Sequence, residues 1–143
     1  MNAPSQQLSV VDNLIALEKP FNTQNAYALK FESECLFARQ QLVKNDYTMK
    51  AAEKNMGSLK SAILNVAAIG ISLNPALAHA YLVPRNNAIC LDISYRGLVK
   101  LATDSGAIAW AKAILVYEGD IFVWRGPAEQ PLHEADVFNA ARI

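Results

Sequence analysis

The sequence predicts an α+β fold, mostly helical in its N-terminal part and built of antiparallel hairpins after that. Three observations carry this reading. Apolar residues recur at helical spacing up to Ile69, as in Leu59, Ala62, Ile63, Val66 and Ile69. From His79 onwards, short β-type runs bounded by turn residues replace them. With 143 residues, 52% of them hydrophobic, the chain is one domain at most and can fill a core.

Residues 1–20 read as a flexible or weakly helical N-terminal segment, with Met1–Leu8 polar and loose and Val10–Leu17 a short helix. That helix stops at Lys19, because Pro20 disfavours helical geometry in the residue before it. Asn22 or Thr23 caps a long helix running to about Val43. Ala26, Leu29, Lys30, Ser33, Phe37 and Gln40 form one stripe along it, and Phe31, Cys35, Ala38 and Leu42 another. Two apolar stripes predict packing on two sides, one of them against a neighbouring subunit. Ser58 caps the next helix; Gly70 weakens it, and Asn74-Pro75 ends it.

His79–Arg85 and Ala88–Ile93 are two strands joined by Asn86-Asn87, since asparagine tolerates the positive φ of a two-residue hairpin turn. Pro84 cannot donate a ladder hydrogen bond and belongs at a strand end or edge. Ser94 caps a helix to about Ser105, and Gly106 supplies its end. Ala107–Tyr117 and Ile121–Trp124 are strands around the turn Glu118-Gly119-Asp120. A loop with Pro127 and Pro131 leads to a last strand at His133–Val137. The chain stops at Asn-Ala-Ala-Arg-Ile143, as if entering another strand, which points to a truncated product.

Thirteen basic and thirteen acidic residues cancel, yet their distribution is uneven. Residues 1–38 hold two basic and four acidic side chains, residues 39–100 eight and three, and residues 101–143 three and six. A basic middle between acidic flanks fits one anion-binding face on a neutral protein, although ordinary uneven surface charge gives the same totals. Cys35 and Cys90 sit in apolar settings without CxxC spacing, as buried free thiols of a reducing cytosol do. No signal peptide opens the chain, and its apolar runs fall far short of the ~20 residues of a membrane span. The expectation is a cytoplasmic protein.

Catalytic constellations are thin. His79 and His133 lie in unrelated segments with no metal-ligand spacing around them, so no metal site is expected. Nucleophile elbow, phosphate loop and dinucleotide-binding turn are all missing, and no cofactor is called for. Glu118 and Asp120 flank a hairpin glycine, which is ordinary turn chemistry. A magnesium-dependent nuclease built on them is the enzymatic alternative.

Anion-binding signals are better. Ser94-Tyr95-Arg96-Gly97 opens a helix, whose unpaired N–H groups and positive dipole end favour a phosphate. Lys100 continues the face of Arg96, while Leu98, Leu101 and Ala102 point inward. Arg85 at the hairpin tip adds a second exposed cation, and Lys50, Lys54 and Lys60 extend the surface from preceding helices. Tyr81, Tyr95, Trp110 and Trp124 are the aromatics able to stack on bases, a role weighed against ordinary half-buried sheet positions.

The order Leu73-Asn-Pro, Ala80-Tyr-Leu-Val-Pro, Ser94-Tyr-Arg-Gly-Leu, Ser105-Gly and Val116-Tyr-Glu-Gly-Asp closely resembles the RecT family of phage and prophage single-strand annealing proteins. The resemblance covers about half of the chain. It implies a curved antiparallel sheet backed by helices, with residues 21–143 a partial annealing core lacking its C-terminal portion. It also implies non-enzymatic binding of single-stranded DNA, ATP-independent annealing of complementary strands, and homo-oligomers in rings or filaments. A companion phage exonuclease in the bacterial host would expose those strands. Carried over by position, the Tyr95-Arg96-Gly97 helix start and Lys100 line up with a family segment implicated in the DNA groove, with Arg85 and Lys112 as weaker assignments. Ser94 and Lys60 join the DNA-binding candidates on the residue reading above. A phage assembly or interaction protein without DNA binding is the remaining alternative.

Overall fold

The computed structural model describes residues 10, 12–135 and 138. They form two units, residues 1–110 and residues 111–143. In the first, α1 (Glu18–Gln24), α2 (Phe31–Val43), α3 (Asp46–Lys54) and α4 (Met56–Ile69) precede the hairpin β1 (Ala80–Arg85) and β2 (Ala88–Ile93), and α5 (Tyr95–Asp104) follows it. The second holds β3 (Ile121–Val123) and β4 (Leu132–Glu134). The architecture is α+β with a helical N-terminal part. Among the described residues, the strands make two separate two-stranded antiparallel sheets instead of one curved sheet.

Pro20 does not stop the helix as expected. It is the third residue of α1, where a backbone N–H has no intrahelical acceptor, so its missing donor costs nothing. The long helix expected from Asn22 or Thr23 to Val43 is instead two helices. Asn25 interrupts it: its Nδ2 donates to Leu29 O, and its Oδ1 accepts from Leu29 N at 3.2 Å and Tyr27 N at 3.4 Å. A side chain that satisfies the backbone locally competes with the helical ladder. Ala28 in this loop has φ 58°.

Apolar residues of both stripes read on this helix pack inside the fold, while Ala26, Lys30 and Gln40 of the first stay exposed. Phe31, Ala38 and Leu42 are buried core, while Leu29, Cys35 and Phe37 pack against it. The face left over carries Leu36 and Val43, 53% and 50% exposed. Asn45 starts α3 by accepting from Tyr47 N at 2.8 Å. Asn55, not Ser58, is the cap of α4, accepting from Ser58 N at 3.0 Å. Gly70, with φ 76°, is the left-handed cap that ends α4, so the helix closes before Asn74-Pro75.

The core joins the helices to one face of the hairpin, with Phe21, Leu42, Leu59, Ile63, Val66, Ile71 and Leu73 fully buried beside Ala80, Leu82 and Ile89. Phe21 and Phe31 meet at 5.3 Å between ring centroids. Asn86 and Asn87 take φ 49° and 59°, the paired positive values of a type I′ turn, as the sequence predicts. Arg85 then faces Ala88 as the hydrogen-bonded pair next to the turn, and Pro84 faces Ile89 in the following non-bonded pair. Its ring therefore removes no ladder donor. The outer edge of β1 is closed by Gln41, whose Oε1 accepts from Leu82 N at 2.7 Å. Its Nε2 donates to Ala80 O at 3.2 Å and Leu73 O at 2.8 Å. On β2, Ile89 N donates to Ser58 Oγ at 2.8 Å.

In the second unit Ile121, Phe122 and Val123 pair with Glu134, His133 and Leu132. The strand expected over Ala107–Tyr117 is not formed, and that for Ile121–Trp124 ends at Val123. A strand needs a neighbour to take its backbone groups, and among the described residues none pairs with 107–117. Their apolar side chains, Trp110 and Leu115 among them, are exposed. The last strand is Leu132–Glu134; Asp136 and Val137 of the expected His133–Val137 lie outside the described residues, as do Met1–Leu8. No described helix is long and apolar enough to cross a membrane.

Candidate nucleic-acid interface

The α5 entrance is held to the hairpin by backbone contacts. Ser94 Oγ accepts from Gly97 N at 3.2 Å, the N-cap bond that the sequence predicts, and donates to Ala78 O at 2.6 Å. Ser94 N donates to His79 O at 2.9 Å. Gly97 is buried against the same place: a Cβ there would overlap His79 O and Ile93 Cγ2. Lacking one, it lets the helix start directly on the end of the sheet.

This docking pushes Tyr95 and Arg96 outward. Tyr95 is 72% exposed. Arg96 Nε donates to Tyr95 Oη at 3.1 Å, and its guanidinium carbon lies 5.8 Å from the Tyr95 ring centroid. The Tyr95 hydroxyl, then its charge, holds the Arg96 pKa above its ordinary value, with a further contribution from Tyr81. Arg96 is a cation at every working pH. One turn on, Lys100 pairs with Asp104. Leu101 packs on the core and Ala102 is half-buried, but Leu98 is 57% exposed, contrary to its expected inward position.

Arg85 is exposed near the hairpin tip, and its Nη2 reaches along the outer face to Asp92 Oδ2 at 3.0 Å. Asp92 is the cross-strand partner of Tyr81. Tyr81, one of the aromatics read as able to stack on bases, therefore shares a hairpin face with Arg85 and lies in electrostatic range of Arg96. Pairing register exposes this neighbourhood; a linear reading separates Tyr81 and Arg96 by fifteen positions. The surface ion pairs at Arg85 and Lys100 contribute little to stability and leave both cations able to exchange a carboxylate for a phosphate. Of the weaker assignments, Lys60 stands half-buried on α4 and Lys112 is exposed in the second unit.

Of the two acids of the nuclease alternative, Glu118 is exposed and Asp120 does structural work. Asp120 Oδ2 accepts from Tyr117 N at 3.1 Å and meets His133 Nε2 at 2.8 Å, tying the turn before β3 to β4. Sequence spacing gave no sign of this His–Asp contact, because strand pairing creates it. Among the described residues, no three His, Cys, Asp or Glu side chains gather as a metal site. Cys35 and Cys90 are free and half-buried. Burial, followed by Glu32, Glu34 and Glu18, pushes the Cys35 thiol up to about 11, so it stays protonated and unreactive near neutral pH.

The site thus combines an exposed cation, an exposed aromatic and a capped helix start on one end of a hairpin. Protein RecT of Escherichia coli (strain K12) is 39% identical to this chain over 85 residues, covering 53% of the chain and 32% of that protein. The chain thus spans about a third of this curated relative's length. No solved structure matches. The RecT family model matches residues 33–141, well over half of the sequence and all of the elements from α3 to β4; the chain belongs to the RecT family.

Proposed function

We propose that the chain binds single-stranded DNA and promotes ATP-independent, non-enzymatic annealing of complementary strands in recombination. The observation that carries this is Arg96, exposed beside Tyr95 at the start of α5, inside the matched region. Phosphates of two strands repel each other, and cations that neutralise one strand lower the barrier to pairing. Base pairing then supplies specificity, so the protein contributes shape and charge without a reaction centre. Arg96 and Lys100 contact phosphates, with Arg85 and Lys60 as further cations of the first unit and Lys112 as a separate candidate in the second.

Arg96→Ala and Lys100→Ala are expected to weaken binding of a fluorescent single-stranded oligonucleotide while leaving the thermal midpoint nearly unchanged. Each lost phosphate contact flattens the log–log salt slope by about 0.7. Unfolding caused by Arg96→Ala would make that arginine a structural partner and defeat the assignment. A salt-independent signal from a folded sample would favour a protein-interaction role.

Assembly of several copies in a ring or filament sums modest contacts along one strand. The exposed Leu36 and Val43 face of α2, rather than either stripe already used by the core, is the surface for a neighbouring copy. Leu36→Glu is expected to leave the fold intact and to reduce the mass seen by light scattering with single-stranded DNA. Unchanged assembly by that variant would remove α2 from the interface. A phage exonuclease that exposes the strands, in the bacterial cytoplasm, completes the proposed setting.

A further inference from the structure

We infer that Tyr95 is a stacking platform for a nucleobase, so that this site holds the strand by a base face as well as by phosphate charge. The inference rests on the single-strand binding proposed above and specifies which part of the nucleotide is held.

Burial normally claims a tyrosine ring, because its apolar area is large. Tyr95 instead keeps 72% of its surface in solvent on the first residue of α5. Its position is nonetheless defined. Arg96 donates to its hydroxyl at 3.1 Å and places a guanidinium 5.8 Å from the ring centroid. The arginine thus holds the ring by its hydroxyl end, and the exposure of Tyr95 leaves ring surface open to a flat ligand. Tyr81, 40% exposed on the outer hairpin face, is a second aromatic within electrostatic range of Arg96.

A π-face is the one surface that all four bases share, so such contact is tolerant of sequence. Stacking also leaves the hydrogen-bonding edges of a base free. That suits annealing, in which the held strand must be read by its complement.

The test compares two probes of equal length, an oligothymidylate and the same sugar–phosphate backbone carrying abasic residues, with the whole 143-residue chain. Tyr95→Ala is expected to weaken oligothymidylate binding by about 5- to 150-fold, the range for removal of one stacking aromatic. Its affinity for the abasic probe stays within about 2-fold, and its salt slope stays that of the unaltered chain, because no phosphate contact is lost. Tyr95→Phe keeps the ring and retains oligothymidylate binding within about 3-fold, since the hydroxyl is not what a base stacks on. Equal losses on both probes would make Tyr95 a support for Arg96 and overturn the stacking role. No loss on either probe overturns it as well, while an Arg96→Ala salt effect would leave the phosphate reading standing. If the unaltered chain binds neither probe at low salt, both readings fall together.

Discussion

Gly97→Ala is expected to destabilise the first unit by about 2–3 kcal/mol and to abolish much of the proposed single-strand binding, although alanine is the better helix former. The added methyl has no free space. It meets the carbonyl oxygen of His79, a backbone atom held by Ser94 N, and the Cγ2 of Ile93. A flexible side chain would give way, but a backbone carbonyl held by Ser94 N cannot, so α5 must move off the hairpin. Tyr95 and Arg96 move with it. Thermal denaturation monitored by circular dichroism should show the midpoint fall by roughly 8–12 °C. Gly57→Ala is the internal control, because a Cβ there meets only Asn55 Oδ1 at the ordinary distance of 3.6 Å. If Gly97→Ala proves as harmless as Gly57→Ala, the close docking of α5 is wrong.

Gln41→Ala should cost a comparable 2–4 kcal/mol, at about 1 kcal/mol for each hydrogen bond removed. The Gln41 amide does for β1 what a third strand would do, bonding Leu82 N and Ala80 O while also holding Leu73 O. Truncation leaves these partly buried groups without that partner. Hydrogen exchange at the Leu82 amide should accelerate sharply, alongside the drop in thermal midpoint. Gln41→Glu should not rescue, because a carboxylate would face the carbonyl oxygens of Leu73 and Ala80. A loss below about 0.5 kcal/mol would show that water replaces the amide at no cost.

Local chemistry was legible wherever a residue acts on its own backbone. Asn86-Asn87 and Ser94 act through φ preference and a side-chain oxygen three residues from its donor, so neighbours alone specify them. Where two local signals compete, the reading went astray. Pro20 and Asn22 each promise a boundary, but the interruption is Asn25, through bonds to Tyr27 and Leu29 that the helix pattern conceals. Ser58 has the residue type of a cap, yet Asn55 holds that place and frees the Ser58 hydroxyl for Ile89 N.

The candidate interface divides the same way. Tyr95, Arg96 and Lys100 share one helix end, so their grouping follows from spacing alone. The order of its motifs also sufficed to identify the family. Tertiary contacts decided which faces stay open. Gly97 on His79 turns Tyr95 outward and leaves Leu98 exposed, and core packing consumes apolar residues of both predicted stripes while sparing Leu36 and Val43 of α2. Strand register puts Tyr81 opposite Asp92 and on the face shared with Arg85, and it brings His133 to Asp120. Local preference depends on adjacent residues and is written along the chain. Exposure and pairing depend on segments distant in sequence, and only the packed fold sets them.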